Sequence, residues 1–194
     1  MSHYFSQKQE SPINISNLKF VLGSRTYNFI TGSGVFSKDR VDFGTNILVN
    51  YMSIKNDDKV LDLGCGIGVV GRVCLDKTKN KVVMVDVNER AVEIAKKNVK
   101  GFKNVEVKQS NIFENLKDEM FNVILLNPPQ TAGKKVCMQM ISESKEHLIV
   151  GGSLQVIARH NKGGEGLSEY MKEVFGNLDT LAKKGGYRVY ISKK

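Results

Sequence analysis

Val-Leu-Asp-Leu-Gly-Cys-Gly-Ile-Gly-Val-Val-Gly, residues Val60 to Gly71, is the stretch on which the reading of the whole chain turns. Val60, Leu61 and Leu63 make a short apolar run of the kind that fills a parallel strand buried on both faces. Asp62 sits near the C-terminal end of that strand, the end at which open α/β sheets bind ligands. Gly64, Gly66 and Gly68 follow at alternate positions, where the lack of side chains lets the backbone turn sharply and approach a ligand closely. Val69, Val70, Val73, Cys74 and Leu75 then supply the apolar residues of a helix that returns onto the sheet. Gly66, Gly68 and Gly71 also satisfy the spacing of a dinucleotide fingerprint, with Asp86 about 20 residues on.

Outward from this stretch the chain alternates strands and helices, the pattern of a mostly parallel sheet with helices on both faces. Strands are expected at Lys59–Leu63, Lys81–Val87, Val105–Lys108, Phe121–Leu126 and Ser153–Ala158. Helices are expected at Val69–Lys77, Glu89–Lys100, Gly133–His147 and Leu167–Phe175. Asn88 is the expected N-cap of the second helix, and Ala91, Val92, Ile94, Ala95 and Val99 its apolar stripe. Two closing strands, Leu178–Ala182 and Tyr187–Ser192, flank the turn Lys183 to Gly186 and read as an antiparallel hairpin. Near the N-terminus, Leu18–Leu22 and Tyr27–Ile30 read as another hairpin around Gly23 to Thr26. A glycine-punctuated segment and a helix from Thr45 follow it. Residues 1–17 are expected to be a poorly ordered N-terminal segment, and 18–194 a single domain.

Composition bounds the function. The chain has 194 residues and a net charge of +9, which favours a polyanionic partner or a lysine-rich solvated surface. Met1 to Glu10 is polar and carries no secretory signal pattern, and no apolar run has the ~18–20 residues of a membrane helix. The three cysteines show no paired spacing, so a reduced cytoplasmic protein without a disulfide framework is expected. His3, His147 and His160 have no metal-ligand spacing, and no metal is called for. No sequence feature specifies an oligomeric state.

Chemistry concentrates at three strand ends. Asp86 lies 22 positions past Gly64, where a carboxylate can accept hydrogen bonds from both ribose hydroxyls of an adenosine, or interact with a helix N-terminus. Asn111, in Gln109-Ser110-Asn111-Ile112, follows the third strand and also suits an Asx turn. Asn127-Pro128-Pro129 follows the fourth. Two successive prolines fix the backbone and remove two amide donors, leaving a rigid loop with free carbonyls, or else a purely structural turn.

Asp-x-Gly-x-Gly-x-Gly after an apolar strand resembles motif I of the class I S-adenosylmethionine (AdoMet) methyltransferases. The resemblance implies a Rossmann-like, mostly parallel seven-stranded sheet. It implies a glycine loop against the methionine part of AdoMet and Asp62 near its amino group. Asn111 stands where such enzymes often have an Asp bonded to the adenine amino group. Asn127-Pro128-Pro129 resembles the Asn/Asp-Pro-Pro-aromatic motif of amino-methylating enzymes, in which the Asn oxygen and the first proline's carbonyl accept the hydrogens of the target amine. With Gly34-Val-Phe-Ser-Lys-Asp-Arg-Val-Asp-Phe-Gly-Thr45, these motifs make the chain similar to the RsmC-like (methyltransferase small domain) guanine-N2 methyltransferases of small-subunit ribosomal RNA. The similarity runs from about Leu18 to the C-terminus and is greatest to single-domain archaeal members; bacterial members carry a further N-terminal domain.

Carried onto this sequence, the implied cofactor residues are Phe36, Asp62, Gly64, Cys65, Gly66, Gly68, Asp86, Val87, Asn111, Ile112 and Asn127, with Gly34 and Val35 closing over the cofactor. The implied catalytic residues are Asn127, Pro128 and Pro129. Gln130 replaces the family's aromatic and, with Thr131, is expected to contact the substrate by hydrogen bonding. Lys134, Lys135, Arg40, Arg159, His160 and Lys162 are candidate RNA contacts or solvated charges, whereas Lys96, Lys97 and Lys100 read as a solvated helix face. The expected activity is AdoMet-dependent N-methylation of an exocyclic amine, foremost guanine N2 of ribosomal RNA or the small ribosomal subunit. Adenine N6, a protein glutamine, a non-catalytic RNA-binding role and, more distantly, an NAD oxidoreductase are the alternatives.

Overall fold

The computed structural model describes residues 14–36 and 40–194. Ile15–Leu22 (β1) pairs antiparallel with Arg25–Gly32 (β2), Leu22 lying opposite Arg25. The turn is therefore Gly23-Ser24 alone. Arg25 and Thr26, expected in the loop, join β2 because Gly23 takes a φ of +58°, the left-handed conformation that two-residue hairpins require. Strand β1 also starts earlier than expected: Ile15 to Asn17 pair with Gly32 to Ile30, so these three residues leave the segment expected to be poorly ordered. Asn14, also of that segment, exchanges hydrogen bonds with Ser33, and residues 1–13 lie outside the described residues.

Beyond the hairpin come Phe43–Tyr51 (α1), Val60–Leu63 (β3), Val69–Cys74 (α2), Val82–Asp86 (β4), Glu89–Asn98 (α3), Val105–Gln109 (β5) and Phe121–Leu126 (β6). Lys134–Glu146 (α4), Leu148–Arg159 (β7), Glu165–Phe175 (α5), Asp179–Lys184 (β8) and Tyr187–Lys193 (β9) complete the chain. Strands β3 to β9 form one seven-stranded sheet in the order β5-β4-β3-β6-β7-β9-β8. It is parallel from β5 to β7 and antiparallel at β9 and β8. This is the sheet expected from the alternation of elements, down to the closing hairpin, whose turn contracts to Gly185-Gly186, both at positive φ.

The alternation of side chains across the sheet divides the core into two layers. Val60, Met84, Leu125 and Ile157 face α1, α2, α3 and the N-terminal hairpin. Leu61, Leu63, Val85, Ile124, Leu126 and Val156 face α4 and α5. Among the described residues, no helix is long and apolar enough to cross a membrane.

The hairpin is docked by specific bonds as well as by its apolar face of Leu18, Phe20, Tyr27 and Phe29. The Tyr27 hydroxyl donates to Asp76 at 2.8 Å, and Asp76 also meets Arg25 and Arg72. Asn98, the last residue of α3, accepts from the Ile30 N–H at 2.7 Å, and its amide donates to the Ile30 and Ile67 carbonyls at 2.8 Å each. One side chain thus replaces a neighbouring strand for β2 and also holds the glycine loop. Asn98→Ala strips partners from three backbone groups and is expected to destabilise the fold by about 2–3 kcal/mol, read as a lower urea midpoint. An unchanged midpoint would mean that the hairpin docks through its apolar face alone.

Candidate functional site

A cavity of about 500 Å³ opens over the C-terminal ends of β3, β4 and β6. That volume lies in the range of small-molecule sites, and the place is the topological switch of the sheet, where β3 has β4 on one side and β6 on the other.

Strand β3 ends with its acid turned toward the helical layer. Asp62 is 3% exposed, and its carboxylate accepts the Gly71 N–H at 2.8 Å, tying the strand end to the start of α2. Burial pushes its pKa up to about 7; the Gly71 bond opposes this and the neighbouring Asp86 charge adds to it. The loop between is held on the other side by β4, whose Val85 carbonyl accepts the N–H groups of Gly64 and Cys65 at 2.9 and 2.8 Å. Gly66, at φ +55°, gives its N–H to Asp86 at 2.8 Å, and a Cβ placed there would meet nothing within 4 Å. That open space belongs to the cavity, which Gly64, Cys65, Gly66, Asp62, Asp86 and Val87 all line. The second Asp86 oxygen accepts the Asn88 N–H at 2.9 Å; burial raises this carboxyl's pKa and the backbone bonds hold the rise in check.

Gly68 serves packing instead. It is the left-handed N-cap of α2 and does not line the cavity, and a Cβ on it would come within 2.5 Å of Met84 Cε. Gly71 is as close to the same side chain. These two glycines let α2 settle on β4.

Asn88 is the N-cap of α3 as expected, accepting from Arg90 and Ala91, and its amide also donates to the Gly34 carbonyl at 3.0 Å. Arg90 donates to the Ser33 carbonyl at 2.8 Å. The segment before Phe36 is therefore fixed to the start of α3; Val35 is buried and Phe36 lines the cavity. At the end of β5, Asn111 and Ile112 line the cavity too. Ile112 has φ +53°, an outlier for a β-branched residue that costs on the order of 1–3 kcal/mol. Buried Ser110 holds it there, donating to the Ile112 carbonyl at 2.9 Å and accepting the Asn115 N–H at 3.1 Å.

The proline loop closes the middle of the cavity. Asn127, half-buried at the end of β6, donates from Nδ2 to the Thr45 hydroxyl oxygen at 2.9 Å, which turns its carbonyl oxygen the other way. Thr45 is placed by Asp42, the N-cap of α1, which accepts the Thr45 N–H at 3.1 Å and starts the helix at Phe43. Pro129's carbonyl accepts the Ala132 N–H at 2.8 Å, whereas Pro128's accepts no hydrogen bond among the described residues. Thr131 lines the cavity with Asn127, Pro128 and Pro129, and the Gln130 side chain lies outside what is described.

Lys134, Arg159 and Arg40 do not line the cavity. Lys134 opens α4 beside the proline loop and, with Lys135 and Tyr170, borders a separate open groove. Arg159 ends β7, and both it and Arg40 are exposed. His160 is held by the Tyr190 hydroxyl at 2.8 Å. The cavity also takes in Asp42, Thr45 and Tyr187, to which the sequence alone assigns no role. For Thr45 the signal was present, at the end of the quoted Gly34–Thr45 motif; Tyr187 stands in the closing Gly185-Gly-Tyr-Arg-Val stretch, which shares the family likeness but carries no role by itself, and the pairing of β9 with β7 brings it here.

The model of the methyltransferase small domain family matches residues 26–191. The chain belongs to that family. It is 36% identical over 197 residues to the uncharacterized protein YbxB of Bacillus subtilis, covering 99% of this chain and 98% of that one. It is 34% identical over 164 residues to ribosomal RNA small subunit methyltransferase C of Cronobacter sakazakii, covering 81% of this chain and 46% of that one. The chain thus spans about half the length of the curated ribosomal methyltransferases it matches. The Thermus thermophilus 16S rRNA N2 G1207 methyltransferase (RsmC), solved with AdoMet and guanosine, superposes with a TM-score of 0.78 at 22% identity, over 94% of this chain and 51% of that one. The fold is that of a class I methyltransferase, and the chain is a methyltransferase.

Methyltransferases of this family use AdoMet, and the cavity fits that cofactor. It combines an apolar lining, a buried and a half-buried carboxylate and an unobstructed glycine loop, an acceptor set suited to a cation joined to a hydroxyl-bearing sugar. The Asp62 carboxyl sets a pH dependence. Raised to about 7, it is protonated below that pH and ionised above it, so its attraction for a cation grows as pH rises through 7. The affinity for S-adenosylhomocysteine, which carries the same amino group as AdoMet, is expected to rise several-fold across that interval in calorimetry. Asp62→Asn is expected to flatten it. For folding the sign is opposite: stability from this group falls as pH rises from the ordinary carboxylate range to about 7.

Proposed function

We propose that this protein transfers the AdoMet methyl to the exocyclic N2 of a guanine in small-subunit ribosomal RNA, as a cytoplasmic enzyme. The observation that carries this reading is the Asn127–Thr45 bond beside the Pro128 carbonyl, which has no partner among the described residues. It leaves two oxygen acceptors, the Asn127 Oδ1 and the Pro128 carbonyl, on a rigid loop at the cavity wall. An exocyclic base amine has two hydrogens to donate and a delocalised lone pair. Holding both hydrogens aligns the nitrogen for attack and stabilises the positive charge that grows on it, without a strong base.

AdoMet supplies an electrophilic methyl group. Around it, Asp86 is placed for the ribose hydroxyls, Asp62 and the Gly64–Gly66 turn for the charged amino-acid end, and Asn111 with Ile112 for the adenine. Phe36, held by α3, covers the cofactor side. The relatives named ribosomal RNA methyltransferases and the net charge of +9 support an RNA substrate. Lys134 and Lys135 beside the loop, with Arg159 and Arg40 further out, are the cations for its phosphates.

The deciding experiment is transfer of labelled methyl from AdoMet to small ribosomal subunits lacking the modification, followed by nucleoside mass spectrometry. N2-methylguanosine is the expected product. Label in adenosine, or transfer only to protein, would overturn the guanine assignment while keeping the amine chemistry. Asn127→Ala is expected to lower kcat about 100-fold or more with AdoMet affinity retained. Thr45→Val, which removes the hydroxyl but keeps the shape, is expected to lower kcat about tenfold, with Thr45→Ser restoring it. Equal kcat in the Val and Ser variants would mean that Thr45 does not orient Asn127.

A further inference from the structure

The sheet order divides the cavity. Strands β5, β4 and β3 carry Asn111, Asp86 and Asp62 on one side of Asn127; β7 and β9 carry Ala158 and Tyr187 on the other. Two aromatic side chains line the cavity among the described residues, Phe36 and Tyr187. Phe36 follows the segment bonded to α3, on the cofactor side. Tyr187 stands opposite Arg159 in the β7–β9 register, beyond the proline loop.

Its ring is held in place. Phe43 meets it at 5.7 Å between centroids and 74° between planes, an edge contact and not a stack. A Cβ on Gly44 would lie 3.2 Å from Tyr187 Cε1, so the ring sits tightly against the first turn of α1, one residue from Thr45. Position 130, directly after the prolines, carries an amide side chain and no π-face.

We propose that Tyr187 is the platform on which the target nucleobase stacks while Asn127 and Pro128 hold its amine. This rests on the reading of the substrate as a nucleobase. A base taken out of an RNA stack is stabilised by an aromatic face inside the enzyme, and Tyr187 supplies one on the side of Asn127 away from the cofactor. The platform comes from β9 and not from the loop that bears the amine acceptors, so stacking and amine recognition reside on separate elements.

The test uses guanosine as the probe, with the full chain saturated by S-adenosylhomocysteine and labelled on its tyrosine rings for NMR. Tyr187 signals, assigned by their loss in Tyr187→Phe, are expected to show the largest upfield shift of any tyrosine as guanosine is added. In methyl transfer to ribosomal subunits, Tyr187→Leu is expected to lose on the order of tenfold or more in kcat/KM, and Tyr187→Phe to restore most of it. Unchanged S-adenosylhomocysteine affinity in both variants shows that the fold and the cofactor half are intact. Guanosine binding without movement of the Tyr187 signals, or full kcat/KM in Tyr187→Leu, would overturn the proposal and leave the guanine reading standing. Failure of the wild-type protein both to bind guanosine and to methylate RNA would overturn both.

Discussion

A single hydrogen bond from the Gly71 N–H to the buried Asp62 carboxylate sets the geometry on which the rest of the molecule depends. It fixes where β3 stops, how the glycine loop leaves it and where α2 begins. With that loop in place, the Val85 carbonyl takes the next two N–H groups and Asp86 takes the one at Gly66. Gly68 and Gly71 can then lie against Met84. A carboxylate in so buried a position is unfavourable when ionised, a cost that a cation beside it would relieve. Architecture and ligand chemistry share one side chain.

The order of the strands does the remaining work. Because β3 is flanked by β4 and β6, the helices that follow them lie on opposite faces and leave a crevice between. Asn111, Asp86 and Asp62 fall on one side of that crevice, and Asn127 stands at its boundary. The antiparallel pair β8–β9 extends the sheet beyond β7, which brings Tyr187 to the mouth although it lies 60 residues later in the chain than Asn127.

Much of this was legible in the sequence. Apolar runs bounded by glycine and asparagine located each strand of the large sheet, and the Asn88 cap and its helix stripe came out as expected. The acids and the Asn-Pro-Pro loop at strand ends all reach one cavity. What stayed illegible depends on distance along the chain. Thr45 and Asn127 are 82 residues apart, and Asn98 reaches back 68 to Ile30; neither pairing leaves a local pattern. Gly68 illustrates a different limit, since one glycine spacing serves both ligand approach and helix packing, and only the position of Met84 tells them apart. The long early half of β7 was missed because Ile149 to Gly151 are exposed and break the apolar alternation.

Asn98 joins two segments that lie far apart in the chain. Its amide grips the carbonyl of Ile30 in the hairpin and the carbonyl of Ile67 in the glycine loop. Any coupling carried by a shared tether of this kind is reciprocal: to the extent that ligand tightens the loop onto Asn98, docking of the hairpin favours the ligand by the same factor. The hairpin in turn leads directly into Phe36. The glycine loop and the hairpin that precedes Phe36 therefore share one side chain, 68 and 31 residues away from the two carbonyls it holds.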